Sequence, residues 1–194
     1  MSKPELIKRG GWAFIAGALA FITILSGSDP IAIPGSEVSA ILIAVGLSGL
    51  RAGYGEHIGD FGRYVLLLGA SGPLLLPIVI AMGLFGILTE TQITEGLWVL
   101  LFGGPAISLL GLTLFGLVAL RSRPMPHFNW LPVLAGIWYP VFYFCLARYL
   151  FTHGGVYPGQ YQSTFNVIYW IQILALCVFG AVVAGDRAQE TVTA

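Results

Sequence analysis

Residues 64–88 read YVLLLGASGPLLLPIVIAMGLFGIL and contain no charged side chain. A helix needs about 20 mostly apolar residues to cross the roughly 30 Å hydrocarbon layer of a bilayer, and this run is longer than that. A transmembrane strand needs only about 10 residues of alternating polarity, and these residues do not alternate. The stretch therefore predicts a membrane-spanning α-helix.

Five more apolar stretches flank this one, and turn-forming residues separate them. The six predicted spans cover approximately residues 11–28, 37–53, 63–88, 96–120, 130–151 and 165–185. The composition agrees, since 57% of the 194 residues are hydrophobic and 9% are charged, whereas soluble domains carry about 25% charged residues. We predict an all-α, polytopic membrane protein, with residues 1–194 forming one bundle of six transmembrane helices.

The basic residues indicate the orientation of the bundle. Eight of the nine Lys and Arg residues lie before the first span, after the last, within the fourth gap, or at the two edges of the second gap, and Arg148 is the exception. Because Lys and Arg in short loops stay on the cytoplasmic side, we expect both termini in the cytoplasm and the protein in the cytoplasmic (inner) membrane of a prokaryote. The alternative for the first span is a cleavable signal peptide, since a basic stretch and Ser26-Gly27-Ser28 flank its apolar run.

The composition also argues against several function classes. The formal net charge is zero and the basic residues form no clustered run, so nucleic-acid binding is not expected. The three histidines are far apart in sequence and no span contains a pair of glutamates, so we expect neither a metal site nor a cofactor such as haem. Cys145 and Cys177 have different predicted depths in the membrane, which argues against a disulfide between them.

One motif suggests catalysis. Gly69-Ala70-Ser71-Gly72 resembles the Gly-x-Ser-Gly nucleophile motif of the rhomboid intramembrane proteases, which also have a six-helix core. The resemblance implies a serine hydrolase with Ser71 as nucleophile and a histidine base from the last core helix. A serine nucleophile needs a neighbouring base, and spans five and six contain no histidine. The alternative is that these small residues pack beside a proline kink, and we do not expect an enzyme.

Arg148 and its surroundings are the best candidate for a binding site. Arg148 lies about one turn from the predicted outer end of span five, where an unpaired charge in hydrocarbon is costly. It either pairs with an acidic residue of the first or third gap, or binds an anionic ligand or a lipid phosphate. The other candidate ligand-binding residues are Tyr143, Asn166, Tyr169 and Gln172. Alternatively, the aromatic residues form an interfacial belt and Gln172 has an interhelical hydrogen-bond partner.

Two segments suggest an inverted repeat. Residues 64–69 ahead of Gly72-Pro73 are similar to residues 98–103 ahead of Gly104-Pro105, and the predicted spans run in opposite directions. Inverted repeats are typical of secondary transporters, although Leu-rich and Gly-rich segments also match by chance. Pro73 and Pro77 predict a kink in span three.

The middle of the chain resembles a broad class of uncharacterised bacterial multi-pass integral membrane proteins. The resemblance rests on residues 46–51, the glycine-spaced turn after them, and residues 114–123 followed by Trp130 and Pro132. That class has no assigned chemistry, so the resemblance implies a location and no activity.

These patterns favour one function class over two others. We expect a non-enzymatic accessory, assembly or small-ligand-binding membrane protein, whose partners are the lipid bilayer and either another membrane protein or further copies of the chain. The alternative is a small transporter or channel-like protomer that uses kinked span three and the polar, aromatic outer half of spans five and six. The remaining hypothesis is an intramembrane hydrolase acting through Ser71.

Overall fold

A computed structural model describes residues 2–23, 29–87, 89–125, 128–152 and 162–185. Every regular element in these ranges is helical and none is a strand, which confirms the all-α prediction. The helices are α1 (Lys3–Phe21), α2 (Asp29–Tyr54), α3 (Gly59–Ala70), α4 (Leu75–Leu84), α5 (Glu90–Ser122), α6 (Leu131–Thr152) and α7 (Gln162–Gly185), with a 3-10 turn at Gly72–Leu74.

Four helical stretches are long and apolar enough to cross a membrane. They are Pro34–Tyr54, Gly59–Leu84, Gly103–Ser122 and Val167–Gly185. A shorter apolar stretch, Leu131–Phe142, belongs to α6. These helices support the predicted membrane-protein class.

Three helices begin well before their predicted apolar spans. α1 starts at Lys3, α2 at Asp29 and α5 at Glu90, whereas the predicted spans start near residues 11, 37 and 96. The first N–H groups of a helix have no partner within it, so acidic residues and proline are favoured in its first turn. Pro4 and Pro30 occupy such positions. Acidic residues and prolines are also typical of loops, so the sequence prediction places the starts of these helices too late.

Span three is a broken helix. α3 gives way to the 3-10 turn at Gly72–Leu74 before α4 begins. The cause is Pro73, which has no N–H to donate to the carbonyl of Gly69 four residues earlier. Pro77 falls in the first turn of α4, where a missing N–H removes no helical hydrogen bond. The predicted kink is therefore a change of helix type halfway along the span.

Five helices form a closed ring. Each packs on the next in the order α1, α2, α5, α6 and α7, and α7 returns to α1. α3 packs on both α2 and α5, whereas α4 packs mainly on α5 and has no buried residue. The helices of predicted spans one and two, three and four, and five and six pack on each other, as is usual for helices that follow one another in the chain.

Glycines set how closely the ring helices approach. A Cβ added to Gly11 of α1 would overlap the backbone nitrogen of Ala184 in α7 and lie 2.6 Å from the carbonyl oxygen of Gly180. On the other side of α1, a Cβ on Gly10 would lie 3.2 Å from the Cα of Gly49 in α2. Small residues allow such backbone contact between membrane helices. α1 is therefore held closely between its two neighbours.

The same contacts place the basic helix ends together. The start of α1 lies beside the end of α7, and Gly116 near the end of α5 packs on Val133 near the start of α6. Lys3 forms a 2.8 Å ion pair with Glu56 in the turn between α2 and α3. α3 and α5 are antiparallel, so the end of α5 lies level with the start of α3. We call this surface, formed by residues 2–9, 51–63, 121–125, 128–131 and 185, the basic face.

Candidate functional site

The interior of the predicted site, where α6 and α7 meet α1, is filled with aromatic rings. The ring of Tyr139 packs edge-on against Phe21, with 5.0 Å between centroids, and against Tyr169 at 5.9 Å. The ring of Phe142 lies 4.9 Å from that of Tyr169. All four residues are buried, and tilted or edge-to-face pairs at these distances are favourable. These rings form part of the packed core.

Gln172 joins α7 to α6 through hydrogen bonds to the backbone. Its Oε1 atom accepts from the Tyr139 N–H at 3.1 Å, and its Nε2 group donates to the carbonyl oxygen of Ala135. These backbone groups are four residues apart, so they are the partners that an uninterrupted α6 would join directly. The side chain is fully buried. The interhelical partner predicted for Gln172 is therefore present.

Pro140 explains why α6 accepts this side chain. It follows Tyr139 inside the helix and lacks the N–H that would bond to the carbonyl of Gly136. The hydrogen-bond ladder of α6 is weakened here, and a side chain from a neighbouring helix can enter it. Gly136 also lets α5 approach, since an added Cβ would lie 2.6 Å from the Leu109 carbonyl oxygen. α6 is thus contacted on two sides where its ladder is weakest.

The structure brings two of the five candidate ligand residues together. Tyr169 and Gln172 share the buried face of α7. Arg148 is exposed near the end of α6, and the side chains of Tyr143 and Asn166 lie outside the described residues. The acidic partners predicted for Arg148 are Asp29, Glu37, Glu90 and Glu95, and of these Glu37 alone has a described side chain. A ligand site at these residues stays a prediction.

A second buried polar group lies where the 3-10 turn of span three meets α5. Ser108 is fully buried, and its Oγ atom has no hydrogen-bond partner among the residues that the structure describes. A Cβ added to Gly72 would collide with Ser108 Oγ and with the carbonyl oxygen of Gly104. The Gly-Pro dipeptides at 72–73 and 104–105, which belong to the predicted repeat, therefore meet at this point. Sequence reasoning missed Ser108, because a serine among small apolar residues resembles ordinary packing.

Ser71, in the protease-like motif, is hydrogen-bonded within its own span. Its Oγ donates to the carbonyl oxygen of Leu68 at 2.7 Å. His57, the one histidine among the described residues, lies in the turn after α2 on the basic face, whereas Ser71 lies halfway along span three. His127 and His153 fall outside the described ranges. The described surroundings of Ser71 therefore supply no base, and the hydrolase hypothesis stays a prediction.

Ion pairs in the described part of the chain lie on the basic face. They join Lys3 to Glu56 at 2.8 Å, Arg9 to Glu5 at 2.7 Å and Arg63 to Asp60 at 3.3 Å. The hydrogen bond and positive charge of Lys3 lower the pKa of Glu56 below its usual range, with smaller contributions from His57 and Arg63. The exposed Lys3–Glu56 pair connects the start of α1 to the turn after α2, whereas the other two pairs lie within α1 and within α3.

The described residues offer little metal or thiol chemistry. Across the described ranges, no group of three His, Cys, Asp or Glu side chains is placed to hold a metal ion. Cys145 and Cys177 are free, as their predicted depths indicate. Neither observation points to a reaction.

Comparison with known proteins adds no identification. No protein-family model, curated protein or solved structure matches the chain. The similarity of its middle portion to multi-pass membrane proteins therefore stays a resemblance. Function has to be inferred from the helices and their contacts.

Proposed function

We propose that the chain crosses a prokaryotic cytoplasmic membrane six times and acts as a non-enzymatic accessory or assembly subunit. α1, α2, the broken span α3–α4, α5, α6 and α7 are the crossings, and the basic face and both termini are cytoplasmic. Support comes from the four long apolar helices and from the basic helix ends gathered on one face, since basic residues stay on the cytoplasmic side.

The hydrogen bonds of Gln172 carry this proposal. Gln172 is bonded to the backbone of α6, and Ser39 of α2 donates to the carbonyl oxygen of Gly17 in α1 at 2.8 Å. A substrate site presents polar groups to its ligand, whereas these groups are satisfied by neighbouring helices, as in helix packing. We therefore assign these buried polar groups to stabilising the fold, and we assign the binding of a partner to the outer surface.

α4 is the part of that surface best suited to a partner helix. None of its residues is buried, and Leu84 and Phe85 at its end are 83% and 80% exposed. α7, by contrast, buries one face against α1 and α6. An apolar helix packed mainly on one neighbour leaves its other sides to lipid or to another helix. We place the partner membrane protein at α4.

Photocrosslinking in intact membranes tests this role. A photoreactive amino acid replaces Ile78 of α4, and the matched control replaces Val178, which is similarly exposed on α7. We expect a single protein adduct of defined mass from position 78 and lipid adducts alone from position 178. The same partner should co-purify with the unmodified chain in a gentle detergent. Lipid adducts alone from both positions would reject the accessory role at α4.

One observation favours a transporter as the second candidate. The break in span three meets the buried hydroxyl of Ser108 halfway across the bundle, and broken helices near the membrane midplane are typical of transporter sites. Purified protein in sealed vesicles should then carry an ion or small solute. Arg148→Ala should abolish that flux while the variant stays folded. Vesicles no more permeable than empty ones to a panel of labelled ions and organic acids would reject transport.

A further inference from the structure

Hydrogen bonds fix the described residues of the turn between α5 and α6. Arg123 follows the end of α5 and donates its backbone N–H to the carbonyl oxygen of Ala119 at 2.8 Å. The side chain of Asn129 then binds both backbone groups of Met125. Its Oδ1 atom accepts from the Met125 N–H at 3.0 Å, and its Nδ2 group donates to the Met125 carbonyl oxygen at 2.6 Å. Met125 is buried in the core, so the turn is anchored to the bundle.

Arg123 has a backbone conformation that suits glycine. Its φ is 50°, in the left-handed region, where an L side chain is strained and glycine is not. Among the described residues it is the one non-glycine residue with a positive φ, while Gly59 and Gly86 adopt φ values of 67° and 68°. Strained residues persist where the surrounding structure determines them, and they cluster at functional sites. Arg123 is therefore the residue that ends α5, and glycine could take its place without strain.

Arg121 and Arg123 have no carboxylate partner among the described residues. Both are exposed. The three acidic residues of the basic face are each paired with another base: Glu5 with Arg9, Glu56 with Lys3, and Asp60 with Arg63. Residues 186–194 contain two acids and one base, too few to cancel the remaining positive charge of that face. The two arginines are therefore available to an anion.

Exposed apolar side chains flank the two arginines. Leu117, one turn before Arg121, is 52% exposed, and Phe128 and Trp130 after the turn are 43% and 48% exposed. Aromatic residues at the ends of membrane spans lie at the level of the lipid head groups. The forked guanidinium of arginine matches the geometry of phosphate oxygens.

We propose that the α5–α6 turn binds the phosphate of an anionic phospholipid head group through Arg121 and Arg123. The inference rests on the proposed membrane placement and is independent of the accessory role. A lipid is favoured over a soluble anion because exposed apolar side chains precede and follow the two cations along the chain, as is typical of the end of a membrane span. The excess of positive charge favours an anionic lipid over a zwitterionic one.

Electron paramagnetic resonance with spin-labelled lipids tests the site. The full chain is reconstituted in phosphatidylcholine vesicles, and its association with labelled phosphatidylglycerol is compared with that of labelled phosphatidylcholine. We expect a preference of about thirtyfold for phosphatidylglycerol, which corresponds to about 2 kcal/mol, since each of the two arginines near the membrane surface contributes about 1 kcal/mol. R121Q/R123Q should lower the preference to about one. Excess soluble glycerol phosphate should leave it unchanged.

A matched control separates a specific site from diffuse charge. K8Q/R51Q removes the same positive charge from two other exposed residues of the basic face that form no ion pair in the described chain. It should keep most of the preference, and an equal loss in both double variants would overturn the site.

Arg123→Gly keeps the test independent of misfolding. It relieves the strain at position 123, so the thermal unfolding temperature should hold or rise while the lipid preference falls. Full preference in this folded variant would overturn the proposal. Insertion without any preference would overturn the lipid site alone, whereas failure of the chain to insert would overturn the membrane placement as well.

Discussion

Two serines illustrate how the polar atoms of single residues are used inside the bundle. Ser39 and Ser108 are both fully buried, but Ser39 Oγ donates to the Gly17 carbonyl oxygen at 2.8 Å, whereas Ser108 Oγ has no partner in the described part of the chain. Ser39→Ala should lower the free energy of unfolding by about 0.6 kcal/mol, an average value for an interhelical hydrogen bond in a membrane. Ser108→Ala should leave it unchanged or raise it, because a buried hydroxyl without a partner is costly.

Unfolding of both serine variants in mixed micelles makes this comparison. The substitutions remove the same atom from equally buried sites, so each serves as the control for the other. A larger loss for Ser108→Ala than for Ser39→Ala would mean that the Ser108 hydroxyl binds a group in the membrane, and would strengthen the transporter hypothesis.

Gly11→Ala should destabilise the protein more than either serine change. The added Cβ would overlap the backbone of α7 at Ala184, and backbone yields less readily than a side chain. Overpacking of this kind costs about 1–3 kcal/mol. Gly185→Ala is the control, since nothing lies within 4 Å of its added Cβ, and it should be neutral or stabilising by up to about 1 kcal/mol. Similar unfolding curves for both variants would contradict the contact between α1 and α7.

The ion pair between Lys3 and Glu56 predicts a pH effect. Lys3 lowers the pKa of the folded Glu56 carboxyl, so the carboxyl contributes stability above its unfolded pKa and loses that contribution as the pH falls through the lower, folded value. Carbon-13 NMR of Glu56 should show titration below the usual glutamate range. Lys3→Gln should shift that titration upward. An unchanged titration in Lys3→Gln would contradict the ion pair in solution.

Among the elements, the broken third span depends on a single proline. Pro73→Ala supplies an N–H that can donate to the carbonyl oxygen of Gly69, so α3 and α4 should join into one helix. The amides of residues 71–75 should then exchange with solvent more slowly. Hydrogen–deuterium exchange measures this. Pro105→Ala is the control, because Pro105 lies inside the continuous helix α5. A break that persists without Pro73 would mean that the packing of Gly72 on Gly104 determines it.

Some elements could be predicted closely from the sequence, and others could not. α6 matches its predicted span within a residue at each end, because turn residues bound one apolar run. The partners of Gln172 could not be predicted, since polarity does not reveal which face of a membrane helix turns inward. On α7, Val178 is exposed and Phe179 is buried although both are apolar. Which helices pack together to form the ring therefore depends on how closely their surfaces fit. The close approach of Gly136 in α6 to the backbone of α5 is one such contact.

For the whole molecule, the shared basic face makes a topological prediction. In a chain without Cys145 and Cys177, single cysteines are introduced at Ser2 and Ser122 on the basic face and at Thr89 at the opposite end of the bundle, all three exposed. A membrane-impermeant maleimide should label positions 2 and 122 from one side of sealed vesicles and position 89 from the other. The proposed orientation makes the first side cytoplasmic. Labelling of positions 2 and 122 from opposite sides would contradict the fold.

The backbone contact between α1 and α7 has a consequence for biosynthesis. Ribosomes make α1 before α7, so the glycine-lined side of α1 faces lipid or an insertion factor until α7 has been made. The ring can close only once α7 is inserted, and a chain that stops before α7 leaves that side uncovered. A membrane protease or chaperone that recognises the bare surface around Gly11 would distinguish chains without α7 from chains that contain it.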